Sequence, residues 1–288
     1  MTSHKGMHIV PGIMSYSYHL SFLEGKINGR DFMERSDRLG MKSTEWCHFP
    51  CHEPGKVDWA QVKLLHGMGV EKNIACSISG FAPLLSSGPD RDDMLKMVDT
   101  QIEVSQAIGS NRLRFHGMTE IELGIGPRPD IERCTDNLKR VVEKGEKAGI
   151  VIALENHMDF CAEYFRHFFR NIDSPFLKIN LDTGNFIPLG EDVLTFTEEF
   201  ADRIISCHFK GLKYIWKDYG AVLTSCHPDE SIVPLVPILN RLSECRHKID
   251  LHIEVVAMES ESEDRLVAEY AKYLMNYLSI SREESAHV

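Results

Sequence analysis

The sequence contains no apolar run that could cross a membrane. No stretch of about 18 or more apolar residues occurs, so a membrane-spanning helix is not expected. The first residues lead only into a brief apolar run that Pro11 and Gly12 interrupt, which is too short for a signal peptide. We therefore expect a cytoplasmic protein that has no membrane partner.

Acidic residues outnumber basic residues. The chain has 32 Lys and Arg against 43 Asp and Glu, which gives a formal net charge of −11 with neutral histidines. A protein that binds a nucleic-acid backbone usually carries a basic surface, and no run of Lys or Arg here predicts one. Nucleic acid is therefore not an expected partner.

The cysteines do not form a disulfide framework. The 8 cysteines are scattered through the chain and several lie in apolar segments, as is usual for reduced thiols. The densest group of soft ligands is at residues 47–52 (Cys-His-Phe-Pro-Cys-His). A zinc knuckle would need a second pair at a fixed distance, and none follows. We interpret this segment as structural or as part of a substrate loop.

Short apolar runs alternate with longer amphipathic stretches along the whole chain. Eight runs are predicted strands, near residues 8–13, 43–49, 73–78, 112–116, 150–155, 178–182, 204–209 and 250–256. The clearest predicted helix covers 131–148, with Leu138, Val141 and Val142 at helical spacing and Gly149 after its end. Eight such strand–helix units favour a closed (β/α)8 TIM barrel over an open sheet.

No linker rich in Ser, Gly or Pro divides the chain, so we expect residues 1–288 to form a single barrel domain. The stretch 214–230 after the seventh strand is long enough for a lid, and the sequence leaves open whether it is a lid or an interface. Residues 124–127 (Gly-Ile-Gly-Pro) lack the third glycine of a dinucleotide loop and suit an active-site loop. The polar tail, residues 279–288, is expected to fray.

Four predicted strands in the second half of the chain each end in a potential metal ligand. These ligands are Glu155, Asp182, His208 and Glu254, and the first three are 27 and 26 residues apart, one strand–helix unit each. Because active sites of such barrels lie at the carboxyl ends of the strands, the four should converge. Any one of them alone could cap a helix or stabilise a loop. Together they offer oxygen and nitrogen donors that suit one divalent cation, Mn²⁺, Mg²⁺ or Co²⁺.

Strand alternation extends the candidate site, because side chains two residues apart share a face. His157 and Lys210 lie at the open end of the barrel and are expected to contact substrate, although a solvated strand-end Lys210 is an equally good interpretation. His116, at the end of the fourth strand, is expected to reach the same pocket. His252 lies deeper and is interpreted as a hydrogen-bonded barrel residue. Glu45, on the second strand, is interpreted as a structural carboxylate rather than a pocket acid.

Four segments resemble the xylose isomerase-like, sugar phosphate isomerase/epimerase family. They are residues 153–157 (Ala-Leu-Glu-Asn-His), 181–185 (Leu-Asp-Thr-Gly-Asn), 207–210 (Cys-His-Phe-Lys) and 252–254 (His-Ile-Glu). The resemblance extends over the whole chain and is specific from about residue 150 onward. It implies the same barrel, and it implies that the four matching residues bind one divalent metal ion, with Mn²⁺ preferred. Those residues are Glu155, Asp182, His208 and Glu254.

The ligand type predicts the chemistry. A hard cation can chelate the carbonyl oxygen and the neighbouring hydroxyl of a ketose and polarise the C–H bond between them. A carboxylate then takes the proton to give a metal-stabilised enediolate, and an acid returns it. In the ketose 3-epimerases the two ligand glutamates are this pair, which implies catalytic roles for Glu155 and Glu254. We predict an isomerase or epimerase that acts on a small sugar or keto-sugar.

Two positions depart from the epimerase pattern. Asn185 lies three residues after Asp182, where those enzymes commonly have a histidine, and residues 211–214 lack their arginine. Both positions handle substrate hydroxyls, so Asn185 is a predicted substrate-binding residue while 3-epimerisation itself is in question. Relatives with an Asp-Thr-Gly-Asn segment include dehydratases and lyases. An alternative that uses the same metal site is therefore elimination on a keto-sugar, an inosose or a 3-keto-glycoside, including C-glycoside cleavage.

Two further function classes are weaker. Apurinic endonucleases share this barrel, but phosphodiester cleavage there requires more metal ligands and basic DNA-binding loops. A barrel that has lost catalysis and serves as a binding subunit would have no need of an intact ligand set. We expect a homo-oligomer, and pairing with a second type of subunit stays open.

Overall fold

Eight parallel strands close into a barrel in the computed structural model, which describes residues 8–48, 54–117 and 129–286. The barrel strands are β1 (Ile9–Met14), β2 (Ser43–Trp46), β3 (Ala75–Phe81), β4 (Arg112–His116), β5 (Val151–Glu155), β6 (Leu177–Asp182), β7 (Ile204–Phe209) and β10 (Ile249–Ile253). Their order around the barrel is β1-β10-β7-β6-β5-β4-β3-β2. The predicted (β/α)8 fold is confirmed.

Helices surround the barrel and cover its apolar outer face. They are α1 (His19–Leu23), α2 (Gly29–Arg38), α3 (Trp59–Lys72), α4 (Gly88–Ala107), α5 (Ile131–Ala148), α6 (Ala162–Asn171), α7 (Val193–Phe200), α8 (Leu235–Ser243) and α9 (Glu263–Ala286). The core lies between this layer and the strands, where Phe115, Phe165 and Leu251 are fully buried. No helix in the described residues is long and apolar enough to cross a membrane.

Helix α5 has the bounds that the sequence predicts. Its first turn is capped by Asp130, whose side chain accepts a hydrogen bond from the backbone N–H of Arg133. The helix ends at Gly149, which adopts a left-handed backbone with φ of 72°. Leu138, Val141 and Val142 are buried on its inner face, so apolar spacing and end signals agree.

Two predicted strands are shorter than expected at their carboxyl ends. Strand β2 ends at Trp46 rather than at residue 49, and β10 ends at Ile253 rather than at residue 256. The chain beyond each strand turns into the mouth of the barrel, where Cys47 and Glu254 are found. The strand-end residues therefore belong to the pocket rather than to the sheet ladder.

The predicted lid or interface segment 214–230 is mostly a β-hairpin. Strands β8 (Leu212–Lys217) and β9 (Gly220–Ser225) pair in antiparallel register outside the barrel, with Tyr214 opposite Leu223. Trp216 and Tyr219 are strongly exposed on this hairpin. The sequence did not indicate these two strands, and the choice between lid and interface stays a prediction.

Three predicted segments, residues 279–288, 124–127 and 47–52, lie partly or wholly outside the described residues. The backbone of α9 continues past Ser279 to Ala286, so the tail that we expected to fray begins as helix, and fraying in solution stays a prediction. The predicted active-site loop at 124–127 lies outside the described residues. So does the second half of the 47–52 segment, from Phe49 onward.

Candidate metal centre and catalytic pocket

The four predicted ligands meet at the carboxyl end of the barrel. Glu155, Asp182 and His208 lie at the ends of β5, β6 and β7, and Glu254 follows β10 directly. All four are buried, and one ligand atom from each lies within 4.8 Å of the others. Side chains that are up to about a hundred residues apart in sequence therefore form one compact group.

His208 lies at the centre of this group. Its Nδ1 atom is 2.8 Å from Glu254 Oε2, 3.5 Å from Glu155 Oε1 and 3.7 Å from Asp182 Oδ2. Its other ring nitrogen, Nε2, is 3.1 Å from Glu45 Oε1. A metal-binding histidine usually donates its second N–H to a carboxylate or carbonyl, which fixes the ring orientation. Glu45 is therefore placed to orient His208, in agreement with its interpretation as a structural carboxylate.

Asp182 is fixed so that one carboxylate oxygen faces the cluster. Its Oδ1 accepts backbone hydrogen bonds from Gly184 at 2.7 Å and Asn185 at 2.9 Å. Its own backbone N–H donates to Asn156 Oδ1 at 2.7 Å. The Asp-Thr-Gly-Asn segment therefore holds the aspartate by its turn and leaves Oδ2 directed toward His208 and Lys210.

Asn185 and Lys210 connect the ligands to one another. The Asn185 side chain donates from Nδ2 to Glu155 Oε1 at 3.1 Å and accepts from Lys210 Nζ at 3.1 Å. Lys210 Nζ also lies 2.8 Å from Asp182 Oδ2 and 3.3 Å from Glu254 Oε1. Lys210 is only 7% exposed, so its interpretation as a solvated strand-end lysine is wrong.

Arg114 is a buried member of the site that sequence reasoning missed. Its Nη1 lies 3.0 Å from Glu155 Oε2, its Nε lies 3.1 Å from Glu45 Oε1, and its Nη2 donates to Ser79 Oγ at 2.8 Å. Arg114 is two residues before His116 on β4, so strand alternation could have placed it on the inner face.

Charge balance explains the ionisation of the cluster. Burial alone would raise the pKa of the Glu155 carboxyl, but Arg114 and His208 lower it to about 2. Burial likewise opposes the effect of Lys210 and His208 on Glu254, whose pKa is also lowered to about 2. For His208, burial lowers the pKa, but the carboxylates of Glu45 and Glu155 raise it well above its usual range. The carboxylates are therefore anionic, and cationic side chains compensate them.

The donor set fits a divalent cation. Among the described residues, the buried side-chain atoms without a hydrogen-bond partner include Glu155 Oε2, Asp182 Oδ2, His208 Nδ1 and Glu254 Oε2, although each lies near a charged neighbour. One such atom comes from each predicted ligand. Three carboxylate oxygens and one imidazole nitrogen are donors that Mn²⁺, Mg²⁺ and Co²⁺ accept. A bound cation would place positive charge among these carboxylates.

A cavity of about 450 Å³ opens directly above the cluster. Glu155, Glu254, Lys210 and Asn185 form part of its wall. The predicted residues His116 and His157 also line it, with ring centroids 4.4 Å apart. Its remaining wall includes residues that the sequence did not single out as ligand contacts, namely Met14, Tyr16, His19, His48 and Phe81.

The barrel mouth thus has two halves. We call the side formed by β5, β6, β7 and β10, with Glu155, Asp182, His208 and Glu254, the acidic half. We call the side formed by β1 to β4, with the rings of Tyr16, His19, His48, Phe81 and His116, the aromatic half.

His252 lies beneath the site, as predicted. Its Nε2 is 2.9 Å from Ser43 Oγ, its Nδ1 is 3.6 Å from Glu45 Oε2, and it is fully buried. Burial holds the pKa of its imidazole down, at about 3. His252 is therefore a neutral, hydrogen-bonded residue of the barrel interior.

Comparison with known proteins places the chain in a family. Residues 33–277 match the family model of the xylose isomerase-like TIM barrel. The chain belongs to this family. Its fold spans most of the sequence, and the family model covers all four predicted ligands. No curated protein matches the sequence.

Solved structures share the fold at low sequence identity. A probable 3-DHS dehydratase from Bacillus anthracis has a TM-score of 0.70 at 14% identity, over 92% of this chain and 98% of that one. A D-allulose 3-epimerase from Methylomonas sp., in complex with D-allulose, has a TM-score of 0.64 at 14% identity, over 93% and 97%. A xylose isomerase-like barrel protein from Mycobacterium smegmatis, in complex with magnesium, has 0.65 at 14%, over 89% and 90%. This likeness shows the fold alone.

Proposed function

We propose that this chain is a divalent-metal-dependent isomerase or epimerase of sugars or keto-sugars that removes a proton next to a carbonyl group. One observation carries the proposal. Glu155 and Glu254 belong both to the ligand cluster and to the cavity wall, whereas Asp182 and His208 are not among the described residues that line the cavity. The two glutamates can therefore contact a substrate and the cation together.

The residues that would hold the cation are Glu155, Asp182, His208 and Glu254. We expect Mn²⁺, with Mg²⁺ or Co²⁺ as alternatives. When bound, such a cation polarises a substrate carbonyl and makes the neighbouring C–H more acidic. The magnesium complex of the Mycobacterium smegmatis relative supports a divalent ion in this kind of barrel.

The chain's own residues supply the base and the acid. Both Glu155 and Glu254 are ionised at neutral pH, so either can accept a proton from carbon. Strands β6 and β7 lie between β5 and β10 in the barrel, so the two carboxylates approach a bound molecule from different sides. Asn185 holds Glu155 and Lys210 holds Glu254 by hydrogen bonds to one oxygen each. One glutamate would remove the proton from carbon and later release it to solvent. The other would first take up a proton from solvent and then deliver it to the opposite face of the same carbon, so no net proton is gained or lost.

A lyase is the second candidate, and the histidine pair favours it. His116 and His157 line the cavity next to Glu155, with ring centroids 4.4 Å apart. An imidazole there could protonate a leaving oxygen after Glu155 has removed the proton from carbon. The outcome would be dehydration of a keto-sugar or inosose, or cleavage of a 3-keto-glycoside. The dehydratase among the structural relatives is consistent with this alternative.

Product analysis in D₂O separates the candidates. The Mn²⁺-loaded protein is incubated with D-allulose, scyllo-inosose and a methyl 3-keto-glucoside, and the products are followed by NMR. Solvent deuterium in a product of unchanged formula supports the isomerase or epimerase. Loss of water or of methanol supports the lyase. Full activity after removal of divalent metal would contradict both.

A further inference from the structure

The aromatic half of the barrel mouth contains a hydrogen-bonded chain that the proposed proton transfer does not use. Ser15 Oγ lies 2.9 Å from His48 Nδ1, and His48 Nε2 lies 3.0 Å from His19 Nδ1. Both histidines line the cavity, and Ser15 is buried behind them. His48 belongs to the 47–52 segment, which the sequence left between a structural and a substrate-loop role. The contact with His19 points to the second of these.

The two imidazoles are held in place on their faces as well as at their nitrogens. Phe22 stacks on His48 with ring centroids 4.5 Å apart and an angle of 8° between the planes. Tyr16 stacks on His19 at 4.6 Å and 28°. Ser15 Oγ in turn accepts a hydrogen bond from the backbone N–H of Cys47 at 3.0 Å. These contacts fix the orientation of both rings before any ligand enters.

The barrel order places this chain across the cavity from the ligands. Strand β1, which precedes His19, and strand β2, which precedes His48, are neighbours, and the β5–β6 pair lies opposite them in the ring of eight. Glu155 and Asp182 stand at the ends of β5 and β6. A molecule chelated at the acidic half would therefore extend toward His19 and His48.

The direction of the hydrogen bonds in this chain decides whether His19 Nε2 is a donor or an acceptor. Burial, followed by the proximity of the His19 ring, lowers the pKa of His48 to about 4, so this imidazole carries one N–H at neutral pH. If Ser15 accepts that N–H, His48 accepts from His19 Nδ1, and His19 Nε2 becomes an acceptor. If the Ser15 hydroxyl donates instead, each bond reverses and His19 Nε2 becomes a donor.

We propose that His19, oriented by His48 and Ser15, binds a hydroxyl group of the substrate on the aromatic half of the barrel mouth. A hydroxyl both donates and accepts, so a nitrogen that can do either suits a polyhydroxylated sugar. The substrate class rests on the proposed function, but the contact does not depend on whether the reaction is isomerisation or elimination. His48 is a positioning residue in this arrangement, and His19 contacts the ligand.

Two variants of His19 separate the two ring nitrogens. In His19→Asn the amide lies near the place of Nδ1, so the contact with His48 can persist while the group facing the ligand is lost. In His19→Gln the amide reaches the place of Nε2 and restores that group. We expect His19→Asn to weaken sugar binding about tenfold, the worth of one hydrogen bond with a buried partner, and His19→Gln to recover most of it. The matched control is His66→Asn. His66 lies on α3, its ring nitrogen contacts the Ile108 carbonyl oxygen, and it is not among the described residues that line the cavity.

The experiment measures binding rather than turnover. Affinities of the Mn²⁺-loaded protein for D-allulose, scyllo-inosose and a methyl 3-keto-glucoside are determined by calorimetry. The ring ¹⁵N shifts of His19 are followed by NMR in the diamagnetic Mg²⁺-loaded protein, because Mn²⁺ broadens signals of nearby nuclei. The expected result is weaker binding in His19→Asn, unchanged binding in His66→Asn, and a shift of the His19 Nε2 signal when a probe binds.

Three outcomes overturn the proposal. Unchanged affinity in His19→Asn with no movement of the His19 signal leaves the proposed function standing and removes this contact. Equal weakening in His19→Asn and His19→Gln makes His19 structural. If no probe binds, both proposals are overturned together. If the probes bind and binding depends on His19, but no metal-dependent deuterium exchange occurs, only the proposed function is overturned.

Discussion

The acidic and aromatic halves of the barrel mouth are built from the same repeating unit but from different residue types. The acidic half gathers three carboxylates and an imidazole around one point, with each ligand fixed by a buried neighbour. The aromatic half presents stacked aromatic and imidazole rings. All four family-like segments lie on the acidic half. The proposed reacting centre therefore lies on the half that carries the family resemblance, and the proposed hydroxyl contact of His19 lies on the other half.

Arg114 joins the two halves. It projects from β4, on the aromatic half, and its guanidinium lies between Glu45 and Glu155. Burial lowers its pKa, but the Glu155 and Glu45 carboxylates raise it above its usual value. The acidic half therefore depends on a cation contributed by the opposite side, and the two halves can be tested separately only where Arg114 is left in place.

The largest expected effect is the loss of either ligand glutamate on the acidic half. We predict that Glu155→Gln and Glu254→Gln each lower kcat/KM by about 10²–10⁴-fold, because an amide cannot take a proton from carbon. Steady-state kinetics with the best substrate of the product screen measure this. Glu199→Gln on α7, in an exposed ion pair, is the control and should be unaffected. Activity of Glu155→Gln near that of the wild type would remove Glu155 from the chemistry.

Breaking the link between the halves should cost stability. In Arg114→Met, the carboxylates of Glu45 and Glu155 lose a buried cation, so we expect the free energy of unfolding to fall by about 3–5 kcal/mol. The matched control is Arg166→Met, whose exposed pair with Glu199 should contribute about 0–1 kcal/mol. Urea unfolding of the metal-free proteins measures both. Equal losses in the two variants would mean that Arg114 does not hold the acidic half together.

A smaller effect is expected from the residue that orients His208. Glu45→Gln replaces the carboxylate 3.1 Å from His208 Nε2, and we predict that Mn²⁺ affinity falls about 10–100-fold. Calorimetric titration with Mn²⁺ measures the dissociation constant of the variant and of the wild type. The control is Glu263→Gln. Glu263 is also a buried carboxylate, and it accepts hydrogen bonds from the backbone of Leu20 and Ser21 rather than contacting any of the four ligands. Wild-type Mn²⁺ affinity in Glu45→Gln would contradict an orienting role.

The smallest effect is expected at the hairpin, which belongs to neither half. Trp216 is 80% exposed, and no residue of β8 or β9 is among the described residues that line the cavity. We predict that Trp216→Ser changes kcat/KM by no more than about twofold, as for surface substitutions generally. A larger loss of activity would support a lid. Sedimentation of the same variant reports whether the hairpin is an interface in the expected homo-oligomer.

Much of the acidic half could be predicted from the sequence. Each ligand ends an apolar run, and the first three are about one strand–helix unit apart. These runs, the residue types and their spacing predict that Glu155, Asp182, His208 and Glu254 converge. Period-two alternation then indicates which neighbouring side chains share their face. Lys210 was placed at the correct strand end, but its burial was not predicted. Burial depends on what packs around the end of a strand, and strand alternation carries no information about that.

The aromatic half was far harder to predict. His48 lies in the cysteine–histidine segment 47–52, but its partner His19 lies 29 residues earlier, on a short helix after β1. The parallel pairing of β1 with β2 brings the segments that follow these strands, and therefore the two rings, together. The hairpin was missed for a related reason: its two strands pair outside the barrel, and their residues lack the alternation of a half-buried strand.

The most direct test of the central claim is metal-dependent exchange of the proton next to the substrate carbonyl. Deuterium incorporation from D₂O is followed by NMR for the purified protein, for the same protein after chelation, and after Mn²⁺ is returned. We predict that exchange stops on chelation and recovers with about one equivalent of Mn²⁺ per chain, the number that a single four-residue site would hold. Unchanged exchange by the metal-free protein would contradict the account.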